Sequence, residues 1–215
     1  MTLRATILFT QAKGGSGKTT LLTQLAAHWL QAGRRLAIVD LDPQGTALRW
    51  CGQRARDPGL PAPAKAIESA DWRAAPDLRE AAAAADLVLV DTAGAVDALR
   101  GVVRDRADLV IVPCQPSMAD VWATDATLTA LGDGSTPSLI VLNRCPARSR
   151  AAALAETELA RTGASLATAR LGQRAAFAEA IMRGAGVSEM ARSGKAAEEI
   201  RALAAEIEKR LVALR

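Results

Sequence analysis

Residues 13–20 read Lys-Gly-Gly-Ser-Gly-Lys-Thr-Thr, directly after the apolar run Ala5-Thr6-Ile7-Leu8-Phe9 and directly before an apolar-rich helical stretch, 21–30. A strand, a glycine turn and a helix start, in that order, constrain the fold more than any other segment. The first N–H groups of a helix have no carbonyl partner of their own, and glycines let that backbone approach an anion closely. The pattern predicts a phosphate cradle: Gly14, Gly15, Ser16 and Gly17 supply backbone, Lys18 reaches the β- and γ-phosphates, and the Thr19 hydroxyl, with Thr20 behind it, is placed to ligate Mg2+. The loop departs from the ordinary form, which opens on a glycine. Ala12 and Lys13 stand at its start, so a second lysine flanks the phosphates.

Further apolar runs recur at 35–41, 86–91, 108–113 and 138–143, with the first extending over 5–10 and weaker ones near 64–68 and 164–169. Most are continuous rather than alternating, as expected for strands of a parallel sheet covered on both faces. Helical stretches separate them: 18–32, about 72–84, 95–106, 118–131, 149–161, 174–183 and 195–214. This alternation predicts an α/β fold, a doubly wound and mostly parallel sheet flanked by helices, with residues 1–215 as one domain. The segments 57–63 and 132–135 read as surface connections, too short to divide the chain.

The composition, 50% apolar and 23% charged, is that of a globular protein. No apolar run approaches the roughly 18 residues that span a bilayer. A strand beginning at residue 5 leaves no room for a signal peptide, so the expected compartment is the cytoplasm. Cys51, Cys114 and Cys145 are widely spaced, and the single histidine, His28, lies in mid-helix, so neither a disulfide framework nor a zinc site is expected. His28, Trp29, Trp50, Trp72 and Trp122 are expected to be packing residues. The net charge of +4 is compatible with polyanion binding but modest, and 3% aromatic residues with no tyrosine disfavour a base-stacking platform. Any DNA contact would go to phosphates and be independent of sequence. Arg183, Arg192 and Lys195, around the Gly-containing segment before the last helix, are the candidates for it.

Asp91 closes the run Leu87-Val88-Leu89-Val90, at the carboxyl edge of a buried strand, where Mg2+ or its water shell would be held. Thr92-Ala93-Gly94 then forms a turn able to respond to a γ-phosphate. Asp40 and Asp42 straddle Leu41, and a period of two puts both on one side of a strand. Two acids so placed would be costly without a cation nearby, which points to the metal again.

Three motifs in order, the loop at 13–20, Val39-Asp40-Leu41-Asp42-Pro43-Gln44-Gly45 and Leu87–Gly94, resemble the ParA/MinD group of deviant P-loop ATPases across nearly the whole chain. The chain looks most like the small ParA-type partition ATPases that lack an N-terminal DNA-reading extension. The resemblance implies ATP and Mg2+ as cofactors and an ATP-bound homodimer in which Lys13 crosses to the partner's phosphates. It also implies that Asp42 orients the attacking water, that Asp40 stands in the outer shell of the metal, and that Pro43-Gln44-Gly45 is a switch. Asn143 would bond the adenine edge, a role suited to an amide that both donates and accepts. Val112–Asp120 and Gln173-Arg174 with Phe177 resemble further segments of the small partition ATPases, and Ser117 with Asp120 reads as a local helix start.

The activity implied is a positioning ATPase that binds nucleoid DNA nonspecifically. Its hydrolysis would be stimulated by a centromere-binding or cargo-adaptor protein, and its cargo would be a plasmid, a chromosome or a protein assembly. The alternative is a MinD-like regulator of the division site on the membrane. Its terminal helix would have to lie on lipid, yet Ile200, Leu203, Ala204, Ile207, Leu211 and Leu214 form an apolar face opposite mixed charges, which suits packing within the fold.

Overall fold

The computed structural model describes residues 3–94, 103–132 and 136–214. In chain order its elements are β1 (Ala5–Phe9), α1 (Lys18–Gln31), β2 (Leu36–Asp40), α2 (Thr46–Arg54), β3 (Lys65–Glu68), α3 (Ala74–Ala84), β4 (Leu87–Asp91), β5 (Leu109–Cys114), α4 (Met118–Leu131), β6 (Ser138–Leu142), α5 (Arg150–Ala160), β7 (Ser165–Leu166), α6 (Ala175–Met182), α7 (Val187–Met190) and α8 (Lys195–Ala213). Single 3-10 turns at Asp71–Arg73 and Arg104–Arg106 precede α3 and β5.

The strands form one seven-stranded sheet in the order β3-β2-β4-β1-β5-β6-β7, with every pairing parallel. Strand residues alternate between two apolar layers because successive side chains leave opposite faces. Ile7, Phe9, Ile38, Leu89, Ile111 and Val141 enter one layer, closed by helices α1, α6 and α8. Leu8, Val39, Val90 and Val112 enter the other, under α3 and the end of α4, and Ile140 and Leu142 meet α5. Both faces are therefore covered, and the continuous apolar runs follow from that.

β1 lies between β4 and β5, where the winding of the chain reverses direction. A crevice opens at the carboxyl ends of the strands at such a reversal. The loops after β1, β2 and β4 all emerge there.

Several boundaries differ from expectation. The run near 164–169 pairs over two residues only, at the sheet edge. The helix expected at 95–106 lies mostly outside the described residues. α2 and α7 were not expected. Trp29 and Trp50 are packed inside, but Trp72 and Trp122 are 81% and 66% exposed, so neither is a packing residue. α8 buries Ile200, Leu203, Ala204, Ile207 and Leu211 in the larger core layer, but Leu214, expected on the same face, lies just past the helix end and is exposed. Among the described residues no helix is long and apolar enough to cross a membrane.

Candidate nucleotide site

The loop between β1 and α1 is held by its carbonyls. Gln115 Nε2 and Arg144 Nη1 both donate to the Gly15 carbonyl, at 2.8 and 3.1 Å. Asn143 Nδ2 donates to the Ser16 carbonyl at 2.9 Å. In a planar trans peptide the following N–H points opposite to the C=O. The N–H groups of Ser16 and Gly17 are thus turned away from the β5 and β6 ends, free for an anion. Gly17 has φ +97°, and a Cβ there would stand 2.3 Å from Asn143 Nδ2. The backbone conformation requires glycine at this position, and a side chain there would also displace the Asn143 amide from Ser16.

Beyond the loop, the first turn of α1 meets the acids at the strand ends. Thr19 Oγ1 donates to Asp91 Oδ2 at 2.6 Å. Asp91 is fully buried, and its Oδ1 has no hydrogen-bond partner. Burial pushes its carboxyl up to about 7 against the opposing Thr19 bond. Burial also raises the Asp40 carboxyl, although its Oδ1 and Oδ2 accept the backbone N–H groups of Asp42 and Leu48 at 3.0 and 3.2 Å. β2 ends at Asp40, so Asp42 stands in the loop beyond the strand rather than on the strand face expected, and there it caps the N–H of Gln44 at 2.9 Å. Lys18 is buried, and desolvation lowers its ammonium while Asp91 and Asp42 oppose that shift.

These groups lack what a metal–phosphate group would supply. Asp91 Oδ1 and Ser16 Oγ are buried without partners, and Lys18 has no carboxylate in ion-pair range among the described residues. The donor set is a hydroxyl with one or two carboxylates. Among the described residues no cluster of three or more His, Cys, Asp or Glu side chains forms a metal cage. Mg2+ is ordinarily held this way, by few protein ligands together with phosphates and water. The residues fit the group.

Lys13, at the opposite end of the loop, is satisfied within its own chain. Its Nζ lies 2.6 Å from Asp120 Oδ2, an oxygen that also accepts Ser117 Oγ at 2.5 Å. Ser117 caps α4 through the Asp120 N–H, as its spacing predicts. Behind this pair a buried network joins β1 to α4: Gln11 Nε2 donates to Thr124 Oγ1, Thr127 Oγ1 donates to Gln11 Oε1, and the Ala12 N–H donates to Thr127 Oγ1. Gln11, Gln115, Asp120, Thr124, Thr127 and Arg144 were not assigned as site residues from sequence. Gln115 and Asp120 carried a signal as members of the Val112–Asp120 segment, and Arg144 as the neighbour of Asn143.

Beside Thr20 and Asn143 a cavity of about 350 Å³ runs to Gln173, Arg174 and Phe177. Its volume is at the lower end of the small-molecule range. Asn143 is nearly buried at its rim, with its amide committed to Ser16 and its Oδ1 to the Arg144 N–H. Arg183, Arg192 and Lys195 are exposed and without ion-pair partners among the described residues.

Residues 7–210 match the family described as the CobQ/CobB/MinD/ParA nucleotide binding domain. The chain belongs to this family. The maintenance of carboxysome distribution protein A of Halothiobacillus neapolitanus is 29% identical over 209 residues, covering 94% of this chain and 95% of that protein. The chromosome-partitioning ATPase Soj of Thermus thermophilus is 37% identical over 137 residues, 58% of this chain and 49% of Soj. Among solved structures, the septum site-determining protein MinD of Pyrococcus horikoshii, complexed with Mg-ADP, superposes with TM-score 0.74 at 17% identity, covering 99% of each chain. An aspartate-to-alanine variant of Cyanothece McdA in complex with ATP superposes at TM-score 0.71 and 16% identity, over 100% of this chain and 98% of that one. At these identities the structures establish the ParA/MinD fold for this chain.

Proposed function

We propose that residues 1–215 form an ATP-dependent positioning ATPase: a switch that dimerises on ATP, holds nonspecifically to nucleoid DNA, and moves a cargo through a partner that stimulates hydrolysis. The observation that carries this reading is the pair of lysines bracketing one loop. Lys18 is buried beside Thr19 and Asp91, and Lys13 is 40% exposed at the loop's mouth. ATP with Mg2+ supplies the phosphoanhydride whose hydrolysis drives the cycle. Lys18 neutralises phosphate charge, and Thr19 and Asp91 hold the cation. Asp40 stands behind them through its backbone contacts, and Asp42 orients water. The loop backbone, Gly14 to Thr20, binds the phosphates, and Asn143 bounds the base cavity. Lys13 exchanges Asp120 for the phosphates of a second subunit. Arg183, Arg192 and Lys195 contact DNA phosphates, which places the protein on the nucleoid in the cytoplasm.

Two comparisons narrow this reading. The carboxysome relative aligns along nearly its whole length and the chromosome-partition relative along about half, which favours a protein assembly as cargo. α8 itself is not free to lie on lipid, because seven of its apolar residues are buried in the core, so the membrane alternative would have to use a segment other than α8. The test is duplex binding across a salt series with ATP, ADP or no nucleotide, using unrelated sequences. Salt-sensitive, sequence-independent binding with ATP alone supports the reading. Binding to anionic liposomes with ATP, and to DNA in no state, would replace it with the membrane alternative.

A further inference from the structure

Two helices that begin at the nucleotide site converge on one segment, residues 184–189, the turn after α6 and the start of α7. α1 starts at Lys18. Its Gln24 Oε1 accepts the Val187 N–H at 2.8 Å, and a Cβ on Gly186 would come within 2.3 Å of Ala27 Cβ. α2 starts directly after the Asp40–Gly45 loop, and its Leu48 N–H is bonded to Asp40. From the same helix, Trp50 Nε1 donates to the Ala185 carbonyl at 3.2 Å.

Arg54, in the last turn of α2, is 0% exposed. Its Nη1 donates to the Gly184 carbonyl at 3.0 Å and to Glu189 Oε2 at 2.9 Å, and its Nη2 donates to Glu189 Oε1 at 2.5 Å. Its Nε donates to the Pro61 carbonyl at 2.6 Å, and its Cζ lies 5.0 Å from the Trp50 ring centre. Glu189 Oε2 also accepts the Gly186 N–H at 2.8 Å. Gly184 has φ +65°, and a Cβ there would lie 2.4 Å from the Arg54 backbone nitrogen.

Burying a guanidinium entirely is costly unless its donors are all used. Holding α2 against the following loop would require only the Pro61 contact. The remaining bonds are directed at 184–189, the turn flanked by the exposed Arg183 and, further on, Arg192 and Lys195. α2 is nine residues long, a rod of roughly 13 Å, tied by hydrogen bonds to Asp40 at one end and to this turn at the other. A displacement of the Asp40–Gly45 loop therefore reaches the turn through a stiff element, while α1 keeps the opposite side of the turn fixed.

The geometry points to Arg54, supported by Trp50, as the positioning residue through which the Asp40–Gly45 loop sets the conformation of segment 183–195 and so its grip on a phosphate backbone. The last clause rests on the reading of that segment as a DNA contact; the relay itself does not. A lysine would keep the charge but lose the two-pronged grip on Glu189 and the Pro61 bond.

The test is backbone hydrogen exchange in segment 183–195 of the full chain, with Mg-ADP and with a nonhydrolysable ATP analogue. It is applied to the unaltered protein, Arg54→Lys and Trp50→Phe, alongside analogue affinity and duplex affinity. In the unaltered protein the two states are expected to differ about 10-fold or more in exchange rate, within the usual range of site-to-site coupling. Both variants are expected to lose most of that difference while binding the analogue within about 3-fold of the unaltered protein, since neither touches the loop. A purely structural role would speed exchange equally in both states and leave their ratio intact, which overturns the relay. An unaltered protein whose 183–195 amides ignore the nucleotide also overturns it. Should Arg54→Lys fail to fold, Trp50→Phe decides by the same ratio. Exchange that behaves as expected without duplex binding in any state upholds the relay and removes the DNA reading alone.

Discussion

The two lysines of the phosphate loop lie five residues apart, and the fold treats them in opposite ways. Lys13 is half-exposed and already neutralised by a buried carboxylate of its own chain, Asp120. Lys18 is buried, its ammonium is pushed down by desolvation, and the acids near it stand outside ion-pair range. At one end the ammonium is paired without a ligand, although Asp120 Oδ1 beside it has no hydrogen-bond partner; at the other, Lys18 has no carboxylate in ion-pair range among the described residues, and Asp91 Oδ1 and Ser16 Oγ are buried without partners. Polar groups left incomplete in a folded interior mark where binding energy is to be gained. The proposed function therefore asks Lys13 to change partner and Lys18 to acquire one.

The first way to break this contrast is to remove the waiting residue. Lys18→Ala is expected to lower nucleotide affinity roughly 100- to 1,000-fold, because a buried charge-assisted contact to phosphate is lost with nothing to replace it. Titration with a fluorescent ATP analogue measures this, and a loss below 10-fold would mean that the backbone alone does the binding. Next in size is Asp42→Ala, which should still bind ATP but slow partner-stimulated hydrolysis about 100-fold, the usual scale for a residue that handles the attacking water, and so accumulate dimer. Full stimulated turnover in that variant would remove Asp42 from the chemistry. Lys13→Ala tests the exchange of partners. It should bind ADP as a monomer with little change, yet weaken ATP-analogue dimerisation by about 10-fold or more in sedimentation, the loss of one interfacial charge contact on each side. A dimer of ordinary affinity would leave Lys13 with its in-chain contact alone.

How much of this was legible in the sequence follows the same division. The loop, Thr19, Asp40 and Asp91 could be read because they are local: a strand, a turn and a helix start lie within twenty residues, and each acid ends an apolar run. The partner of Lys13 could not be read, because Asp120 is 107 residues away and meets it only once β5 lies beside β1. Gln11 sits in a stretch that reads as linker, and only the Thr124 and Thr127 hydroxyls on α4 give it a role. α2 was missed for a related reason. Its inward face is Ala47, Trp50 and Arg54, and an arginine at that spacing reads as a solvated end unless a distant glutamate is known to meet it. Trp72 and Trp122 erred the other way: a large aromatic is more often buried than not, but both lie at helix positions that face solvent.

The smallest expected effect concerns Asp91, the acid on the waiting side. Its carboxyl is raised to about 7 in the folded chain, mainly by burial, with Asp40 and Asp42 adding to the shift while Thr19 and Lys18 oppose it. In the unfolded chain the same group titrates near 4. Between those two values the folded state retains a proton that the unfolded state has released, so this group's stabilising contribution is complete below about pH 4 and is lost as pH rises through about 7. Above that, the ligand-free protein carries an ionised carboxylate with one oxygen unpartnered. Asp91→Asn is neutral at every pH. Comparing urea unfolding of the two ligand-free proteins reads Asp91 together with its charge coupling to Asp40. The unaltered protein should lose about 2 kcal/mol relative to Asp91→Asn between pH 5 and pH 8. The same variant should lose the benefit of Mg2+ for nucleotide binding, since a neutral amide is a weak ligand for a hard cation. Parallel stability curves across that range would mean that Asp91 is ionised and satisfied in the folded chain without a cation, and the contrast between the two ends of the loop would then rest on Lys18 alone.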